Sequence, residues 1–156
     1  DPEIDVVYIA TPHSEHYKNS MLMLNNNKHV LCEKSLAINS SESIEMINTA
    51  KAKRLFLMEA MWMAFQPGFN QTQKWINEGM IGEVKLIKAE FGFPRNPNPN
   101  TRLFDPKLAG GTLLDIGIYP LTLAHYIFAK TPINIKSLGY IGDTGVDEQL
   151  SLSIQF

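Results

Sequence analysis

Three short apolar runs constrain this chain more than any other feature: I-D-V-V-Y-I-A from Ile4 to Ala10, H-V-L-C from His29 to Cys32, and L-F-L-M from Leu55 to Met58. They are short and largely apolar, which marks strands buried on both faces, as in a parallel sheet. Between them lie two stretches of helical period. Ser14 is placed to cap the first, Met21, Leu22 and Leu24 give it an apolar face, and Asn25-Asn26-Asn27 ends it. Asn39-Ser40-Ser41-Glu42 opens the second, with Ser40 or Ser41 as the cap and Ile44, Ile47 and Ala50 on its face. Strand, helix, strand, helix, strand at this spacing means βαβ units, which demand a parallel sheet with right-handed crossovers.

The texture changes further on. Glu59 to Phe65 reads as a turn or helix start, and Pro67 to Glu78 as a helix ended by Gly79. From Gly82 the pattern becomes alternating: E-V-K-L-I-K-A-E-F-G-F over Glu83 to Phe93 predicts a strand with one wet face, as in antiparallel sheets. A Pro/Asn loop follows from Pro94 to Asn100. Thr112 to Phe128 reads as helical, with Gly117 and Pro120 bending or restarting it. Ile133 to Ile141 and Glu148 to Phe156 are further alternating strands. The expected fold class is therefore α/β: half of a doubly wound parallel sheet over residues 1–80, then the start of an α+β domain with a mainly antiparallel sheet over residues 81–156. Both ends read as cut, so the chain has the look of an internal fragment.

Composition narrows the function. The net charge is −2, which gives no electrostatic footprint for nucleic acid. No apolar run is long enough to span a bilayer. A single cysteine, Cys32, rules out an internal disulfide framework and fits a reducing cytoplasm. No metal site is expected: His13 and His16 stand three apart, but no third ligand accompanies them. His13 reads as an exposed loop residue and His16 as one that packs a loop.

Chemistry should sit where the strands end, because open α/β sheets bind ligands outside the carboxyl ends of their strands. Three loops leave those ends here: Thr11-Pro12-His13, Glu33-Lys34-Ser35 and Glu59-Ala60-Met61-Trp62. Lys34 beside Glu33 can act as a general acid/base, or be a surface pair at a strand end. A positive charge on a bound ligand beside it would favour its neutral form. Asp115 and Tyr119, four apart, share one face if helical; they suit hydrogen bonding to a polyol, or equally a capping acid and a core phenol. Gly110-Gly111 permits a sharp turn or close backbone approach. It is no phosphate loop, and G-x-G-x-x-G is absent from the chain.

Several segments in order, D-V-V-Y-I-A-T-P-H-S-E-H, K-H-V-L-C-E-K, F-L-M-E-A-M-W, G-M-I-G-E-V and G-G-T-L-L-D-I-G-I-Y-P, resemble the glucose–fructose oxidoreductase/inositol dehydrogenase (Gfo/Idh/MocA) family. The M-E-A-M-W segment and the Tyr of D-I-G-I-Y-P, where other branches usually carry His, are similar to the dimeric dihydrodiol dehydrogenase/D-xylose dehydrogenase branch. The resemblance implies a Rossmann-type domain whose first strands and Gly-rich turn lie upstream. It implies that Thr11, Pro12, His16 and Glu33 line the nicotinamide side, that Lys34 is the catalytic acid/base, that Asp115 and Tyr119 assist it, and that Trp62 borders the substrate. Two positions depart from the family: Ser35 replaces the Pro after the Lys, and Ala64 stands where relatives often carry Arg. Without that Pro, the Lys34–Ser35 bond either becomes trans, re-aiming Lys34, or stays cis.

The expected activity is hydride transfer between NAD or NADP and a small-molecule sugar, polyol or dihydrodiol-like alcohol. The alternative is a non-catalytic regulator of the same fold that binds cofactor or sugar. A homo-oligomer formed through the C-terminal sheet is also implied.

Overall fold

The computed structural model describes residues 1–156. Strand β1 (Val6–Ile9) leads through helix α1 (His13–Asn25) to β2 (His29–Glu33), then through α2 (Ser40–Lys53) to β3 (Leu57–Ala60). The three strands form one parallel sheet in the order β1-β2-β3. Val6 pairs with His29, and Val30 with Leu57, so all three carboxyl ends lie along one edge. α1 and α2 lie against one face of the sheet, where Ile9, Leu24, Val30, Cys32 and Ala50 form the buried core. Burial raises the Cys32 thiol to about 11, which leaves it protonated and inert.

Local chemistry sets the boundaries. Pro12, with φ −59° and ψ 154°, carries the extended chain straight into α1, so the helix begins at His13 and not after a Ser14 cap. Ser14 falls inside the first turn and its hydroxyl has no partner. Asn39, not Ser40 or Ser41, caps α2: its side chain accepts from the Glu42 backbone N–H at 2.9 Å. β3 begins two residues later than its apolar pattern suggests, which brings Glu59 into the strand. β1 differs from expectation as well. Val6 and Tyr8 are exposed, because both helices cover the opposite face and no layer covers theirs.

A 3₁₀ turn over Trp62–Phe65 and helix α3 (Pro67–Asn77) follow, with Pro67 in the first turn and Gly79 beyond the end at φ +73°. Glu83 to Phe93 alternates in sequence yet joins no ladder, because the only antiparallel pair is formed by β4 (Asn134–Ile141) and β5 (Asp147–Gln155). An alternating segment without a partner edge has nowhere to place its backbone hydrogen bonds as a strand.

The Thr112–Phe128 region is helical but divided. Leu113–Gly117 forms a π-helical turn that runs into α4 (Ile118–Phe128). Pro120 lies just past the π-turn inside the continuous helix, where its ring and missing N–H interrupt the regular α-helical bonding. π-turns of this kind concentrate at functional sites.

Candidate active site

The edge carrying the three strand ends faces the π-turn. Lys34 follows the last residue of β2 and crosses to it: Nζ donates to the Asp115 carbonyl oxygen at 2.5 Å and to Asp115 Oδ1 at 3.1 Å. Both side chains are largely buried, at 14% and 11% exposure, so water screens the pair weakly. Arg102 Nη1 also lies 3.1 Å from Asp115 Oδ1. Burial alone would raise Asp115; the hydrogen bond and charge of Lys34, with those of Arg102, outweigh it and hold the carboxyl below its usual range.

Tyr119 sits one turn beyond Asp115, at the start of α4. The Lys34 ammonium lies 5.4 Å from its ring centroid, within cation–π range. Trp62 Nε1–H donates to the Tyr119 oxygen at 2.8 Å. A phenol that accepts in this way keeps its own O–H free to donate elsewhere. Phe91 packs edge-on against Tyr119 at 5.4 Å. The i, i+4 relation of Asp115 and Tyr119 thus spans a π-to-α junction, and both residues still meet Lys34.

The Lys34–Ser35 peptide bond is cis. Ser35 is buried, and its Oγ donates to the Leu114 carbonyl at 3.0 Å, immediately before Asp115. A proline there has no such donor. His16 is fully buried, with Nδ1 2.7 Å from the Ser35 oxygen and Nε2 2.9 Å from the Thr11 oxygen. It ties the β1 and β2 loops together and has no exposed surface for a ligand. Thr11 is exposed and Pro12 half-buried at the carboxyl end of β1. Glu33 accepts from the Tyr8 hydroxyl, and from the Lys34 backbone N–H at 3.3 Å.

Several contributors carried no clear sequence signal. His13, expected to be exposed, is buried; its ring meets the Ala109 carbonyl at 2.9 Å and lies edge-on to His16. Desolvation lowers its proton affinity below the usual value of 6.5, partly offset by the Ala109 contact. Glu59 accepts the Leu36 backbone N–H at 2.9 Å, which braces the chain just beyond Lys34, and burial raises its carboxyl. The sequence pattern places it in the loop after the third strand, not within the strand. Arg102 had none, because it lies in an irregular Pro/Asn-rich loop. Gly110-Gly111 does make a close approach: a Cβ on Gly110 would stand 2.6 Å from the Arg102 and Leu103 carbonyl oxygens.

Residues 1–61 match the family described as GFO/IDH/MocA oxidoreductase, NAD-binding Rossmann fold, and residues 69–156 match the GFO/IDH/MocA C-terminal domain. The chain belongs to the GFO/IDH/MocA oxidoreductase family. It is 41% identical over 157 residues to trans-1,2-dihydrobenzene-1,2-diol dehydrogenase of Danio rerio, covering 100% of this chain and 46% of that protein. It is 42% identical over 130 residues to D-xylose 1-dehydrogenase (NADP(+)) of Hypocrea jecorina, covering 78% of this chain and 33% of that protein. The aldose-aldose oxidoreductase of Caulobacter crescentus, solved with glycerol, superimposes with a TM-score of 0.84 at 26% identity, covering 99% of this chain and 48% of that one. The chain thus spans half or less of the length of these GFO/IDH/MocA relatives. Their fold agrees with the parallel and antiparallel sheets seen here.

Proposed function

We propose that this protein is an NAD(P)-dependent oxidoreductase acting on a CH–OH group of a sugar, polyol or dihydrodiol, with Lys34 as its acid/base. One observation carries the reading: Lys34 Nζ is held on Asp115 beside the Tyr119 ring, with the Tyr119 oxygen accepting from Trp62. Four residues from distant parts of the chain meet at the carboxyl edge of a parallel sheet, where such folds bind ligands.

The residues suit a nicotinamide dinucleotide. Thr11, Pro12 and Glu33 stand at the carboxyl ends of β1 and β2 with Lys34 beside them, so these groups would hold the nicotinamide half. When bound, NAD or NADP supplies the hydride acceptor or donor. The chain's own residues handle the proton. Asp115 holds Nζ in place through two bonds and leaves the third donor direction of the ammonium free. In the reducing direction Nζ gives a proton to the developing alkoxide; in the oxidising direction the neutral amine takes it from the substrate hydroxyl. Tyr119 donates its free O–H to the substrate oxygen, and Trp62 and Phe91 wall the substrate side. His16 positions both loops and does not touch the ligand. General acid/base help of this kind contributes roughly 10²–10⁴-fold.

Two structural units meet near residue 80, the first supplying the cofactor edge and the second Asp115 and Tyr119. Ile135 on one face of β4, and Leu138 and Tyr140 on the other, are exposed and support pairing with a second copy through that sheet. No helix is long and apolar enough to cross a membrane, and the free thiol of Cys32 is in keeping with the cytoplasm.

The test is to titrate the full-length protein with NADH and NADPH, then assay turnover on D-xylose, other aldoses and trans-dihydrodiols. Binding with turnover supports the reading. Tight cofactor binding with no turnover on any of them would make the protein a sensor, and no binding would remove the cofactor itself.

A further inference from the structure

We propose that Arg102 is a positioning residue of the active site, one that competes with Lys34 for a single carboxylate oxygen and so holds the Lys34 amine ready to release and retake its proton. The inference rests on the acid/base reading of Lys34 and adds a control on it. Both cations lie 3.1 Å from Asp115 Oδ1, not from separate oxygens. A single carboxylate therefore balances two positive charges, and each weakens the hold of the acid on the other. Lys34 Nζ is largely buried, whereas the Arg102 side chain is 54% exposed. Arg102 is permanently charged, so it is a fixed bias and takes no part in proton exchange.

The loop is built to deliver this contact. The Gly111 N–H donates to the Leu103 carbonyl at 2.9 Å, and Gly110 leaves no side chain between the two segments. Leu103, next to Arg102, is thereby tied to the segment leading into the π-turn that bears Asp115. On the far side, the Ala109 carbonyl is met by His13 of α1.

The other charged or titratable groups near Lys34 are few. Glu33 lies beside it on β2, Glu59 on β3, His13 and His16 on α1, Asp115 on the π-turn and Tyr119 on α4. Among these neighbours Arg102 alone is a permanent cation. Without it Asp115 would serve Lys34 alone and one repulsive charge would vanish. Asp115 Oδ1 would then hold Lys34 Nζ alone, and the amine would be less free to take the proton that alcohol oxidation releases.

The experiment is the pH profile of kcat/KM for alcohol oxidation with the cofactor saturating, in the wild type, Arg102→Gln, Arg102→Lys and Lys34→Ala. In Arg102→Gln the limb on which the base loses its proton should move upward by about half a pH unit, with a roughly threefold loss of rate at neutral pH. Arg102→Lys keeps the cation and should keep the limb near its wild-type position. A merely structural role would lower the rate of both variants without moving the limb. An unmoved or downward-moving limb in Arg102→Gln, with Lys34→Ala inactive, overturns the role of Arg102 alone. A fully active Lys34→Ala overturns the acid/base reading on which the role rests.

Discussion

Asp115→Asn removes the charge on which the contact between the end of β2 and the π-turn is centred. The carboxylate is nearly buried, and its main partner, Lys34, is equally shielded. Breaking a buried ion pair by removing one charge costs about 3–5 kcal/mol, because the remaining charge stays desolvated. Three features reduce that here. Lys34 keeps its 2.5 Å bond to the Asp115 carbonyl, which the substitution leaves in place. Asn still offers an oxygen where Oδ1 stood. The Arg102 arm is half-exposed and is worth about 0–1 kcal/mol. The expected loss is therefore about 2 kcal/mol. The pH dependence follows from the lowered carboxyl. Because the folded value lies below the unfolded one, near 3.8, the stabilisation is complete above the unfolded value and is lost as pH falls through the folded one. Urea unfolding of the wild type and Asp115→Asn should show a gap that is constant from roughly pH 7 to pH 5 and closes below about pH 4. A gap near zero at pH 7, or one that widens on acidification, refutes the reasoning.

Other perturbations probe other parts of the site. Ser35→Ala removes the 3.0 Å bond to the Leu114 carbonyl and should cost about 1 kcal/mol in urea unfolding, with no change in the pH dependence of stability. Tyr119→Phe keeps the ring under Lys34 but loses the phenolic proton and the acceptor for Trp62; steady-state kinetics should show kcat down roughly 10²-fold with KM little changed. His13 is buried with its proton affinity lowered below the 6.5 of the unfolded chain, so the unfolded state takes up a proton first and stability falls as pH drops below about 6.5. His13→Asn should be less stable at pH 7.5, and its melting temperature should fall less than that of the wild type between pH 7.5 and pH 5.5.

Much of this site was legible because it lies where periodicity is strongest. The apolar runs ending at Ala10 and Cys32 locate two strand ends, and a strand end in a parallel sheet is a site position by topology. Lys34 and Trp62 are readable on those grounds. Asp115 and Tyr119 are readable as neighbours on a helix, although the spacing holds through a π-turn that no pattern announces. What the sequence hid depends on tertiary partners. Arg102 and His13 matter only because two loops distant in sequence fold onto the same helix start. Glu59, expected in the loop after the third strand, lies inside it because β3 runs two residues beyond its apolar stretch. The Glu83–Phe93 alternation misled for the converse reason: a strand pattern specifies a face, but a strand also needs a neighbouring edge.

The central claim is that Nζ of Lys34 moves the proton. Lys34→Ala in the full-length protein, compared with the wild type by cofactor titration and by single-turnover alcohol oxidation, tests it most directly. Cofactor affinity should stay close to wild type and the rate should fall by roughly 10²–10⁴-fold. A single-turnover rate near that of the wild type, with substrate and cofactor both bound, would contradict it.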